Sequence, residues 1–258
     1  MPTTPRRLTG LMYSGGKVLR GGQRGALEMR PVEIAPHPIS SAEGSALILL
    51  GETQVIATAS VEDGVPPFRK GSGSGWITCE YAMIPRATET RTPREVTRGR
   101  PSGRTMEIQR MIGRALRAVM DLTALGERTI WMDCDVIRAD GGTRTASITA
   151  SFVALGLAVK KLMEVKALGR SPLRDYVAAT SVGIVGRETL LDLDYAEDSS
   201  AEVDLNVVMT GAGKLVEVQA AAEGRVFSLA ELGEMVEIAQ PAVRALFEKQ
   251  KAILNFEF

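Results

Sequence analysis

Asp140-Gly141-Gly142-Thr143-Arg144-Thr145-Ala146-Ser147 brings two glycines, three hydroxyls and one guanidinium into eight consecutive residues. Those types suit an anion. Glycine lets the backbone turn tightly and approach a ligand closely. Thr143, Thr145 and Ser147 add donors, and Arg144 adds a planar fork that matches phosphate. The run before it, 129–137, alternates as a strand does: Ile130, Met132, Cys134 and Val136 against Trp131, Asp133 and Asp135. The run after it, 148–163, is apolar and reads as a helix. A helix starting at this loop aims its unpartnered first-turn N–H groups, and its positive dipole end, at whatever sits there. The same residues also describe a plain strand–turn–helix corner capped by Thr or Ser. Local pattern alone leaves both readings open.

A second group is acidic. Asp192, Asp194, Glu197, Asp198, Glu202 and Asp204 crowd thirteen residues. Asp198-Ser199-Ser200-Ala201-Glu202-Val203-Asp204 reads as a turn with a strand emerging, so Asp198 and Asp204 can converge across it. Paired carboxylates near phosphate are how proteins hold Mg²⁺ or Mn²⁺. One of them can also protonate a leaving oxygen if a like charge raises its pKa. The plain alternative, solvated acids on a polar turn, is assigned to Glu197. Asp204 precedes Leu205-Asn206-Val207-Val208, and a charge entering a strand needs a partner or a function.

A third group is basic. Residues 86–117 hold nine arginines, no lysine and three acids, in a chain of formal net charge +0. Gly99, Pro93 and Pro101 make the first half a loop. The second half is a helix, with Ile108, Met111, Ile112, Ala115, Leu116 and Val119 on one stripe. Ser102 is the expected N-cap, which sets Arg104 in the first turn. Arg110 and Arg117 are read as a solvated, salt-bridged face. The loop arginines are read as RNA or phosphate contacts.

These groups need a scaffold, and 258 residues with 45% hydrophobic content can supply one aliphatic core. Aromatic content is only 5%. The two cysteines, Cys79 and Cys134, are far apart and set no metal or disulfide spacing. The single histidine, His37, makes zinc and a Ser-His-Asp site poor readings. No secretory signal or membrane-spanning run is found, so a cytoplasmic setting without membrane contact is expected. Residues 1–25 are basic and weakly periodic, and are read as a flexible or loosely docked arm preceding one domain, 26–258.

Strands are expected at 30–34, 45–50, 54–59, 76–84, 177–184, 189–195, 203–210 and 215–219. A final helix over 228–250 should be capped by Ser228, face the core through Leu229, Leu232, Val236, Ala239, Val243 and Phe247, and be kinked or divided at Pro241. Gly51–Asp63 and Gly186–Asp198 share a plan: a turn glycine, an apolar strand and a Glu-Asp end. Two β-rich halves of similar design would account for the length.

Five stretches together resemble the ribonuclease PH family, phosphate-dependent 3′→5′ RNA-trimming enzymes related to polynucleotide phosphorylase and the exosome ring. They are residues 60–67, Ser102-Gly103-Arg104-Thr105-Met106-Glu107-Ile108-Gln109-Arg110, Asp133-Cys134-Asp135-Val136, 139–147 and Glu197-Asp198-Ser199-Ser200-Ala201-Glu202-Val203-Asp204. The resemblance spans about 26–250. It implies an α+β fold of two β-α-β-α-like halves with mixed sheets, of the ribosomal protein S5 domain 2-like type, in a homohexameric ring built as a trimer of dimers. It implies that Arg104, Gly142, Thr143, Arg144 and Ser147 bind inorganic phosphate, and that Asp198 and Asp204 are the catalytic carboxylates and hold Mg²⁺ or Mn²⁺. Arg86, Arg91 and Arg94 would guide RNA, with tRNA precursors and other RNA 3′ ends as substrates and no DNA. The activity implied is that of a tRNA nucleotidyltransferase. The alternative is a ring subunit that grips RNA without catalysis. One departure stands out: Leu19-Arg20-Gly21-Gly22-Gln23-Arg24 lacks the aspartate of the family's Arg-x-Asp-Gly-Arg run.

Overall fold

A computed structural model describes residues 6–8, 11–14 and 17–256 of the chain. Three short strands, β1 (Arg6–Leu8), β2 (Leu11–Ser14) and β3 (Lys17–Leu19), form a small antiparallel sheet. The first half of the main body follows: β4 (Val32–Pro36), β5 (Gly44–Leu50), β6 (Thr53–Asp63), β7 (Trp76–Met83), α1 (Gly103–Ala118), α2 (Leu122–Leu125), β8 (Arg128–Arg138) and α3 (Thr143–Glu164). The second half holds β9 (Val177–Val185), β10 (Glu188–Leu191), α4 (Tyr195–Asp198), β11 (Val203–Thr210), β12 (Leu215–Ala222) and α5 (Leu229–Leu254). The first half makes a five-stranded sheet, β4-β5-β6-β8-β7, mixed because β7 and β8 run parallel across the α1 crossover. The second makes a four-stranded antiparallel sheet, β10-β9-β11-β12.

The core sits around α3, which packs on β5 and β6 on one side and on β9 on the other. A helix apolar on every side is stable only when enclosed, and Ile148, Phe152, Leu155 and Val159 are fully buried. By length and hydropathy α3 could cross a membrane, but 83% of its most apolar stretch is buried against the sheets, as a core helix is. Ala146, Ala150, Ala154 and Ala158 form a smooth stripe. It lets β5 approach so closely that a Cβ on Gly44 would lie 2.0 Å from the Ala154 carbonyl oxygen and 2.6 Å from the Ala158 nitrogen. Both obstacles are backbone and cannot swing away. Gly44→Ala should therefore cost at least the roughly 1–3 kcal/mol typical of overpacking, at about 2–4 °C of Tm per kcal/mol for a chain of this size. A thermal melt checks it.

Several expectations change. The Gly51 and Gly186 hairpins are equivalent, each turn glycine having φ 55°, and each half later adds a long helix, α3 or α5, but the strands leaving the two turns differ. β6 is an eleven-residue interior strand, whereas β10 is a four-residue edge strand. The strand expected over 189–195 stops at Leu191 because Asp192 takes a left-handed φ of 54° and turns its carboxylate onto Arg30. The chain then enters α4 through a capping box between Asp194 and Glu197. Pro241 does not divide α5, which runs on through it. Burial of Ala239, Ala242, Val243, Leu246 and Phe247 around the proline offsets its missing N–H. Ser228 caps α5 as expected, but Leu229 is exposed and the buried face begins at Met235.

The arm is not loose where it is described. Arg20 is buried and forms a two-pronged bridge to Glu197 at 2.8 Å, with further bonds to the carbonyls of Leu191 and Asp192. Leu11 and Val18 enter a small core with Val185, Leu190 and Leu193. The remaining arm residues, 1–5, 9, 10, 15 and 16, lie outside the described part. Glu197, read as a solvated acid, is in fact buried and neutralised by Arg20 and Arg24.

Candidate active site

Three elements converge on one cleft of about 350 Å³. The first is the N-terminus of α1. Ser102 caps it, accepting from the Thr105 N–H, while Glu95 accepts from the Ser102 N–H and the Thr105 hydroxyl. This clasp fixes the first turn and with it Arg104, which has no ion pair among the described residues. Glu107 and Ile108, one turn on, also line the cleft.

The second element is the Asp140–Thr143 loop. Gly141 and Gly142 both adopt the left-handed region, at φ 73° and 67°, so the turn requires glycine. Gly142 serves as N-cap of α3, and no side chain caps it. The first turn of α3 thus faces the loop without the Thr or Ser cap of the plain-corner reading. The Thr53 hydroxyl accepts from the Asp140 N–H and donates to the Gly141 carbonyl. Arg144 rises from this turn into the cleft. One of its nitrogens donates to Gln219 of β12 at 2.8 Å, and the Gln219 amide in turn donates to Glu107. The remaining Arg144 donors have no partner among the described residues.

The third element is the end of α4 and the start of β11, which carry Asp198 and Asp204. Burial raises the Asp198 carboxyl above its ordinary range, while Arg144 and Arg104 pull it back. Burial raises Asp204 too; there the negative charge of Asp198 adds to the rise and Arg144 opposes it. The pair thus lies within electrostatic reach of each other and of the cationic wall. Glu223 lines the same cleft.

Arg104, Arg144, Asp198 and Asp204, all expected from sequence, meet here. Gly142 and Thr143 sit behind them: Thr143 is buried, and its hydroxyl accepts from Tyr81 at 2.9 Å. Ser147 does not join them as a hydroxyl donor. It is fully buried one turn deeper in α3, and its Oγ donates to the Thr143 carbonyl. Arg86, Arg91 and Arg94 are exposed on the loop before α1 and do not line the cleft. Arg94 lies close enough to Asp135, on the outer face of β8, to oppose the upward shift that burial gives that carboxyl. Arg117, read as solvated, is half-buried over the Trp76 ring and donates to the Ile77 carbonyl.

Three contributors escaped sequence reasoning. Tyr81, Gln219 and Glu107 look like ordinary strand and helix residues. Only the fold brings Gln219 beside Arg144, 75 positions away. Burial raises the Tyr81 phenol, with Thr143, Arg104 and Arg144 pulling it down.

No group of three or more His, Cys, Asp or Glu side chains with metal-site geometry occurs among the described residues. Asp198 and Asp204 nonetheless fit Mg²⁺, which is commonly held by one or two carboxylates plus waters and substrate phosphate oxygens.

Comparison with known proteins gives a consistent picture. The model of the 3′ exoribonuclease family, domain 1, matches residues 28–161, and that of domain 2 matches 175–242. The ribonuclease PH of Solibacter usitatus is 57% identical over 237 residues, 92% of this chain and 100% of the relative. That of Moorella thermoacetica is 56% identical, covering 92% and 95%. Among solved structures, the Archaeoglobus fulgidus exosome with RNA bound to the active site superposes with TM-score 0.75 at 28% identity, covering 89% of this chain and 92% of that one.

Proposed function

The chain belongs to the ribonuclease PH family of 3′ exoribonucleases, and we propose that the Arg104–Arg144 cleft is where inorganic phosphate attacks the RNA 3′ end. The enzyme is a phosphorolytic 3′→5′ exoribonuclease, a tRNA nucleotidyltransferase. The observation that carries the site assignment is a pair of guanidiniums without ion pairs among the described residues, beside a helix start capped only by glycine and sharing one cleft with Asp198 and Asp204.

Phosphate at the start of α3, held by Arg104, Arg144 and the backbone around Thr143, sends one oxygen in line at the phosphorus of the terminal phosphodiester. The bond from that phosphorus to the 3′-oxygen of the penultimate nucleotide breaks. The products are a nucleoside diphosphate and an RNA one nucleotide shorter. The leaving 3′-oxygen takes a proton, which we assign to Asp204, whose carboxyl burial and the charge of Asp198 push above its ordinary range. Arg104 and Arg144 neutralise charge on the phosphates, and the Glu107–Gln219 pair holds one edge of the Arg144 fork in plane. Mg²⁺ or Mn²⁺ would be held by Asp198, with Asp204 joining it once its proton has passed to the leaving oxygen, and would offset charge on the phosphates. The same site run backwards adds nucleotides from diphosphates. Intact Arg144, Asp198 and Asp204 favour this reading over an inactive RNA-binding ring subunit.

The substrates assigned are tRNA precursors and other RNA 3′ ends, guided by Arg86, Arg91 and Arg94. The assembly assigned is a homohexamer, a trimer of dimers; exposed Leu215, Val226 and Leu229 supply apolar surface for contact between copies. A cytoplasmic setting fits two free, buried thiols, Cys79 and Cys134.

Release of a 3′-terminal label from a tRNA precursor tests the assignment: the label should leave as nucleoside diphosphate only when phosphate is added. Release independent of phosphate would overturn it. The guiding loop has its own test. Replacing both Arg91 and Arg94 with alanine should weaken RNA binding and lower the salt slope of log K by roughly 0.7 per lost phosphate contact. Turnover of short oligonucleotides should be unchanged. Fluorescence anisotropy across a salt series measures it.

A further inference from the structure

The two halves of the cleft come from different halves of the fold, and one side chain bonds the segment leading into each. Arg30 is buried just before β4. Its Nε donates to Asp192 at 2.9 Å and its Nη2 donates to the other oxygen of the same carboxylate at 2.7 Å. The rest of the guanidinium reaches backbone on both sides. Nη1 donates to the Asp140 carbonyl, and Nη2 to the carbonyls of Gly141 at 3.4 Å and Leu193 at 3.2 Å. One planar group thus ties the loop that begins α3 to the turn that leads into α4. The two segments also meet directly: a Cβ on Gly141 would lie 2.5 Å from the Leu193 carbonyl oxygen. The Arg30 stem in turn rests on the Gly51 hairpin turn. Burial works against the charge, but Asp192, with Asp140 and Asp194, holds the guanidinium above its usual pKa.

We propose that Arg30 is a positioning residue that sets the separation between the phosphate seat at Thr143–Arg144 and the carboxylate at Asp198. This rests on the phosphorolytic reading of the cleft. Arg30 touches neither substrate. Its guanidinium fixes two backbone segments at once, and in-line transfer from the leaving oxygen to a seated nucleophile is sensitive to ångström shifts between that seat and the carboxylates opposite it. Lysine keeps the charge opposite Asp192 but has no planar fork with which to hold both segments.

Arg30→Lys is the test. Turnover of phosphate-dependent release should fall by about ten- to a hundredfold, while the KM for phosphate and the affinity for RNA stay within about twofold of wild type. Amide hydrogen exchange should quicken together at 140–144 and 192–198. Adding Asp192→Glu, which lengthens the acid to meet the lysine, should recover Tm without recovering turnover. A purely structural role would give the reverse, with turnover following Tm. The proposal is overturned if Arg30→Lys turns over normally, if the double variant regains turnover, or if exchange rises in only one segment. A wild-type enzyme without phosphate-dependent release would overturn the phosphorolytic reading, and the exchange measurement would still decide whether Arg30 couples the segments.

Discussion

Arg144→Ala lowers kcat/KM for phosphate by about 10²–10³-fold, the loss expected when one preorganised charged donor leaves a site of developing charge. RNA affinity measured without phosphate stays within about twofold, because the arginines proposed to grip the RNA backbone are exposed outside the cleft. The effect is large because Arg144 spends little of its hydrogen-bonding capacity on the protein. Gln219 takes one nitrogen and the rest of the fork is open. The same substitution removes a positive charge that pulls down both Asp198 and Asp204, so their carboxyls should rise further. Initial rates across a phosphate series, with anisotropy on the same RNA, separate the two effects. A collapse of RNA binding with an unchanged phosphate KM would reassign Arg144 to RNA.

Asp204→Asn lowers kcat by about 10²–10⁴-fold, the usual contribution of a positioned proton donor, and at the same time makes the protein more stable. The second effect follows from the direction of its pKa. Burial and then Asp198 raise the folded carboxyl above its unfolded value, so folding disfavours the ionised form. Below the unfolded pKa, about 4, both states are protonated and the wild type bears no penalty. The penalty develops as pH rises through the folded pKa and is complete above it. Asparagine removes the charge. Its Tm should therefore exceed that of wild type by about 1–3 °C at neutral pH, discounted for a half-buried group, and match it near pH 3.5. Melts in chelator at both pH values provide the check. A neutral-pH Tm below that of wild type would mean that Asp204 is held in a favourable ion pair instead.

Much of the site was legible in the sequence because its parts are local. Ser102 and Arg104 are two residues apart on one capped helix start. Asp140–Arg144 is a single turn whose glycines announce left-handed backbone. What failed depended on distance. Glu197 reads as a solvated acid until Arg20, 177 positions away, is found against it. The arm looks loose for the same reason, since its charge is the complement of an acidic turn in the other half of the chain. Ser147 illustrates a different limit. It shares a helix face with Thr143, so spacing alone groups them, but one helical turn carries it out of the cleft and into the core. The strand over 189–195 was apolar enough to continue, and Asp192 ended it only because Arg30 offered its carboxylate a buried partner.

The central claim is that inorganic phosphate, seated at the start of α3, is the nucleophile. Supplying isotopically labelled phosphate with unlabelled RNA tests it most directly. The account predicts that the label appears in the β-phosphoryl group of the released nucleoside diphosphate, one label per nucleotide removed, and that Arg144→Ala slows its incorporation by about 10²–10³-fold. Release of unlabelled nucleoside monophosphate at the same rate would show that water attacks instead, and would contradict the account.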